Sequence, residues 1–300
     1  MSTPPSTSAA EPCVLLTGLP RSGTTLACEL LNHLPDVRAL AEPPILPRLP
    51  PRPAVDGAVP FAVDDLHRVI LEFAAEQRRS ILERGVAVTK HVGGQVTGTI
   101  VEDSRSAGDP RRSLVERGEI PISPPREHRF TLVVKHPIVF TAQLRGLHAR
   151  MSLFALVRNP LAVLGSWETM PWWHLREGSL RVPPEMAPEI SARLASIENV
   201  LDRQLEMLGW FFEQYTTVLP RERVIRYEDL ISSRGRALSA IAPSAASLDV
   251  ALAGRNSAQV YDGAHMHTAG SRLLAQGEDA PWRAFYTGEE VEQLHDSLVR

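Results

Sequence analysis

An apolar, strand-length run at residues 13–17 passes directly into the turn GLPRSGTT at 18–25. From Leu26 the apolar residues Leu26, Leu30, Leu31 and Leu34 recur at the three- and four-residue spacing of one helix face. Strand, glycine-bearing turn and helix in that order form a phosphate cradle. The first N–H groups of a helix have no internal partner and point outward at the positive end of its dipole. Gly18, Gly23 and Thr25 match the template G-x-x-x-x-G-K-[ST], and Ser22 adds a hydroxyl, but Thr24 stands where that template has lysine. Arg21 is the only cation of the loop. Such a loop can hold a phosphate yet lacks the ammonium that steers a γ-phosphate with Mg²⁺, so no metal site is expected.

The 300 residues, 43% of them hydrophobic, suffice for a single α/β domain over 13–300. A formal charge of −3 gives no global attraction for nucleic acid, so anions must be met by local basic residues. Cys13 and Cys28 read as small core residues in a reducing compartment. Residues 1–12, rich in Ser, Thr and Pro, lack the apolar and basic segments of a signal peptide and read as a disordered leader. No run approaches the ~18 apolar residues of a membrane span. The expectation is a soluble, cytoplasmic protein without membrane partners, its association into a homodimer left open.

Further along, 37–40 is a short strand ending at Ala41 and Glu42, and prolines crowd the loop that follows. Helical spacing covers 65–82, a strand or hairpin 86–101, and 103–129 reads as a long polar loop. Strands at 130–134 and 152–157 are each followed by a helix, the second opened by Asn159 and Pro160 as N-cap and first-turn pair. Trp172, Trp173 and His174 lie in a proline-marked loop, and 190–219 carries the longest helical stripe. Residues 223–227 form a strand, 242–279 show little pattern, and Thr287 with Glu290 makes a capping box for the last helix. Alternating strands and helices imply a central parallel sheet flanked by helices, P-loop-like in plan. Ligands of such sheets bind beyond the carboxyl ends of the strands. Arg21, Glu42, Lys135 with His136, Arg158, and Tyr227 with Glu228 stand at five such ends.

PRSGTTL at 20–26 and VRNPLAVLGSW at 157–167 resemble the sulfotransferase family, whose donor is 3′-phosphoadenosine 5′-phosphosulfate (PAPS) and whose nucleotide product is adenosine 3′,5′-bisphosphate. The loop arginine and the following Glu-Pro are most similar to tyrosylprotein sulfotransferases and their bacterial relatives. The resemblance implies that Glu42, 21 residues beyond Arg21, is the catalytic base and that Lys135 contacts the departing sulfuryl group. His136 is the rival base, because small-molecule members use a histidine two residues after the equivalent lysine. On the sequence, Ala41 and Pro43 offer Glu42 no obvious partner.

By the same resemblance Arg158 and Ser166, eight residues apart, hold the donor's 3′-phosphate, and Arg21, Ser22, Gly23, Thr24, Thr25 and Tyr227 contact the rest of the nucleotide. Gly270, Ser271 and Arg272 are the stretch that fits a further glycine-and-basic cofactor contact. The acceptor, expected to be a hydroxyl of a small metabolite, should lie under the proline loop near Trp172, Trp173 and His174. A protein tyrosine, a small-molecule kinase on the same fold and a non-catalytic nucleotide binder are the alternatives.

Overall fold

A computed structural model describes residues 13–50, 61–102, 111–256 and 261–299. The leader at 1–12, part of the proline loop and part of the polar stretch after 102 lie outside the described residues. In chain order the elements are β1 (Cys13–Gly18), α1 (Thr24–Leu31), β2 (Val37–Ala41), α2 (Val63–Arg84), β3 (Val86–His91) and β4 (Glu116–Pro121). Then follow β5 (Thr131–Lys135), α3 (Pro137–Ala142), α4 (Leu144–His148), β6 (Ser152–Val157), α5 (Pro160–Glu168) and α6 (Trp173–Arg176). The chain continues through α7 (Pro188–Ser196), α8 (Val200–Val218), β7 (Val224–Arg226), α9 (Tyr227–Ser232), α10 (Gly263–Leu274) and α11 (Gly288–Val299).

Five parallel strands form the central sheet in the order β2-β5-β1-β6-β7. Its interior strands are almost wholly apolar, as strands covered on both faces must be. Val14, Leu16, Ala39 and Val133 pack toward α1 and α9, while Leu15, Leu40, Leu132 and Val134 pack toward α2 to α5 and α8. The alternation follows from the two-residue period of a strand. Register decides the site. Leu16 and Ala41 both lie level with Lys135, and Gly18 lies level with Leu156. The residues just past β1, β2, β5 and β6 are therefore delivered to one edge.

Several expectations from sequence are corrected. Residues 116–121, placed in a loop, form β4, which pairs antiparallel with β3. Of ERGEIP only Ile120 is buried, so no alternation was visible, and pairing with β3 makes it a strand. The long stripe of 190–219 is two helices. Ile197 is extended, and Asn199 caps α8 through the amide of Asp202 at 3.1 Å. Spacing runs unbroken across such a join because both helices bury the same side. Within 242–279, α10 is capped by Asp262 and buries Met266, Ala269 and Leu273, a stripe too small in side chain to stand out. Both caps read from sequence form: Asn159 accepts from Leu161 and Ala162, and Thr287 and Glu290 exchange bonds. Among the described residues no helix is long and apolar enough to cross a membrane.

Candidate functional site

Loop 18–25 sits where β1 leaves the sheet. Gly18 is at φ 151°, and a Cβ there would come 2.4 Å from the Leu156 carbonyl, so only glycine lets the loop pass this close to β6. Gly23, at φ 87°, precedes α1 without any side-chain cap, which leaves the first N–H groups of that helix for a ligand. Arg21 itself is left-handed at φ 76°. That conformation is unfavourable for a residue with a Cβ, and it is held from α5 and the turn before it. Trp167 Nε1 donates to the Pro20 carbonyl at 3.0 Å, Arg158 Nη1 to the Arg21 carbonyl at 3.0 Å, and Arg21 Nε to Ser166 Oγ at 3.3 Å.

Arg158 is buried under the loop. Its guanidinium lies 4.8 Å over the Tyr227 ring and donates to Asn256 Oδ1 at 2.8 Å and to the Arg255 carbonyl at 2.6 Å. Glu228 steadies this arrangement by accepting from Asn256 Nδ2 at 2.8 Å, the Asn159 amide at 3.0 Å and Tyr286 Oη at 2.7 Å. Burial, then the neighbouring guanidinium groups of Arg111 and Arg158, pushes Arg21 down to about 9. Cations crowded in this way repel one another, and an anion among them would relieve the repulsion.

Across from the loop, Glu42 directly follows β2 with φ 44° and its amide bonded to the Lys135 carbonyl at 2.7 Å. Lys135 Nζ donates to Glu42 Oε1 at 2.6 Å and to Thr25 Oγ1 at 3.2 Å, so one ammonium joins the loop at 18–25 to the carboxylate. Lys90 Nζ donates to the same Oε1 at 2.9 Å, and Arg117 approaches Oε2 at 3.8 Å. Burial opposes ionisation of this carboxyl, but Lys135 and Lys90 outweigh it and hold Glu42 well below the usual carboxylate range. Burial, with the charges of Lys135 and Lys90, pushes the His136 imidazole down to about 4, although Glu42 pulls the other way, and among the described residues its Nδ1 has no hydrogen-bond partner.

These groups share a cavity of about 770 Å³. Its wall brings together Arg21, Gly23, Thr24, Thr25, Glu42, Lys135, His136, Arg158 and Tyr227 from among the residues singled out in the sequence. Pro43, Pro44 and Pro47 cover it, and Trp172 and His174 line it, whereas Trp173 is 63% exposed and turned away. Ser22 and Ser166 are buried behind the wall. Ser166 therefore serves the loop arginine in this structure rather than standing free beside Arg158. Ser271 and Arg272 do not reach the cavity: both are exposed on α10, where Arg272 pairs with Asp202 of α8. Arg255 stands at the wall instead, its amide bonded to Tyr227 Oη at 3.2 Å. Gly254-Arg255 is also a glycine-and-basic pair, and its arginine does reach the cavity. Lys90 and Arg117 were missed altogether, because they come from the β3–β4 pairing. Glu42, expected to lack a partner, has three cations around it.

Neither a family model nor a curated protein matches the chain. Among solved structures, a sulfotransferase from Alicyclobacillus acidocaldarius is 13% identical, with 97% of this chain and 96% of that one covered at a TM-score of 0.39. Sulfotransferase STF1 from Mycobacterium tuberculosis H37Rv is 14% identical over 96% of this chain and 77% of that one, at a TM-score of 0.32.

Proposed function

We propose that the protein is a sulfotransferase that moves the sulfuryl group of PAPS to a hydroxyl of a small-molecule acceptor, without a metal. The observation that carries this reading is the Lys135 bridge, a single buried ammonium bonded at once to Thr25 of the phosphate loop and to the carboxylate of Glu42. A group transferred between a donor in the loop and an acceptor at Glu42 would pass this ammonium. The uncapped start of α1 with Arg21 and Arg158 suits the donor's phosphates, and guanidinium groups are well shaped for such contacts.

In the proposed reaction the acceptor oxygen attacks sulfur in line while its proton passes to a Glu42 oxygen. The bond from sulfur to the 5′-phosphate oxygen breaks, and its electron pair leaves with adenosine 3′,5′-bisphosphate. Arg21 and Lys135 offset the charge that builds on the equatorial and bridging oxygens. As Lys135 turns to the sulfuryl group it loosens its hold on Glu42, so donor binding makes the carboxylate a stronger base. His136 is the second candidate base, favoured by its unpartnered Nδ1 and its place at the cavity wall. The bond from Lys135 to Glu42, alongside its bond to Thr25 of the loop, sets the carboxylate beside the path of transfer and favours Glu42.

Thermal shift with adenosine 3′,5′-bisphosphate, ATP with Mg²⁺, and NADH side by side tests the reading. A selective rise in Tm with the bisphosphate is the expected result. A larger rise with ATP and Mg²⁺ would replace it with the kinase alternative.

A further inference from the structure

Two ammonium groups bind one oxygen of Glu42. Lys135 Nζ is at 2.6 Å and Lys90 Nζ at 2.9 Å, and their side chains are only 2% and 5% exposed. A buried ammonium is costly unless it is paired, and one carboxylate is enough to pair one lysine. The second lysine is therefore more than an ion pair needs. It leaves the Lys90–Lys135–Glu42 cluster with a surplus positive charge.

Lys90 is also placed with unusual firmness. Its neighbour Thr89 accepts from the Ala41 amide at 2.8 Å and donates to the Ala41 carbonyl at 3.2 Å, which locks β3 against the end of β2 one residue before Glu42. The Lys90 ammonium lies 5.3 Å from the centre of the Trp172 ring. Lys135 belongs to the parallel sheet and touches the phosphate loop, whereas no bond joins Lys90 to that loop among the described residues. The two lysines thus reach the same oxygen from different elements, Lys135 from the central sheet and Lys90 from β3.

We propose that Lys90 is the positioning residue of the base: when Lys135 turns to the transferring group, Lys90 keeps the Glu42 carboxylate ionised and aimed at the acceptor. This rests on the reading of Glu42 as proton acceptor. Without Lys90, once Lys135 turned to the transferring group Glu42 would stand buried with only Arg117 near, its ionised form less favoured and its aim unheld. The ionisable groups around Glu42 are Lys90, Lys135, His136, Arg117 and His174, and Arg21 acts on Lys90 across the cavity. Burial, then the charge of Lys135, pushes Lys90 down to about 8, with Glu42 opposing both, so Lys90 stays largely charged at neutral pH.

The experiment is a titration of the ¹³C-labelled glutamate carboxyls in the full chain, with Glu42 assigned by its loss in E42Q. K90M, and K90Q as a second loss variant, should raise the Glu42 midpoint by about one pH unit or more, while K90R leaves it near wild type. In parallel, sulfation of 4-nitrophenol as acceptor probe should fall about 10- to 100-fold in kcat for K90M. KM for PAPS should stay within about twofold, the acid limb of the kcat profile should move up with the carboxyl midpoint, and K90R should restore most of the rate. A lysine with a merely structural role would lower Tm and raise the Glu42 midpoint while leaving kcat and its acid limb near wild type, so unchanged kcat in K90M and K90Q, or an unmoved Glu42 midpoint in both, overturns the inference. Failure of wild type to bind adenosine 3′,5′-bisphosphate would instead strike the donor reading, since the titration reads Lys90 without any ligand.

Discussion

The phosphate loop and the β3–β4 hairpin face each other across one cavity and arise in opposite ways. The loop is contiguous, and its suitability for an anion comes largely from backbone, two left-handed residues and the bare start of α1. The hairpin is built from strands more than twenty residues apart, and it contributes side chains, Lys90 and Arg117, to a carboxylate on a third strand. A short continuous segment can therefore specify a loop suited to an anion. What surrounds Glu42 depends on which distant strand pairs alongside.

Variants at the point where the two regions meet carry the largest expected effect. Lys135→Ala and Arg21→Ala should each lower turnover of PAPS with 4-nitrophenol by about 10³-fold or more, as loss of charge stabilisation does. Lys135→Ala should still fold, because Lys90 remains to pair Glu42. Near-normal turnover in both variants would break the proposed mechanism.

A smaller effect sharpens the hairpin side. Glu42→Gln should cost about 100-fold in kcat and leave the affinity for adenosine 3′,5′-bisphosphate within about twofold. His136→Gln should cost less than about tenfold; the reverse order of losses would move the base to His136. On the loop side, Gly23→Ala should affect binding first. Its Cβ would stand 2.7 Å from the Tyr227 ring at φ 87°, so calorimetry should find about tenfold weaker bisphosphate binding and a strain of about 1–2 kcal/mol. Adding Tyr227→Leu should recover the part due to contact and leave the part due to φ.

The smallest expected effect concerns pH. Burial pushes His136 and His174 down to about 4 from an ordinary value of 6.5. The unfolded chain therefore takes up these protons first, and stability falls as pH drops from about 6.5 toward 4. Tm measured over that window should decline, and His136→Gln and His174→Gln should each flatten the decline. A Tm unchanged over the window would mean that the two imidazoles are not held neutral by the fold.

Sequence alone determined the strand, loop and helix at 13–34, the caps at Asn159 and Thr287, the parallel core, and the ends at which Arg21, Glu42, Lys135 and Arg158 stand. Each of these is a local signal: an apolar period, a glycine at a turn, or a cap spaced within one helical turn. Tertiary structure decided the rest. Charged ERGEIP became a strand only through β3, Ser166 turned to Arg21, Ser271 and Arg272 faced away, and Lys90 arrived at Glu42. β3 showed as a strand in the sequence, but β4 leaves no periodic trace of its own, because the burial of its single apolar Ile120 exists only after the two have come together.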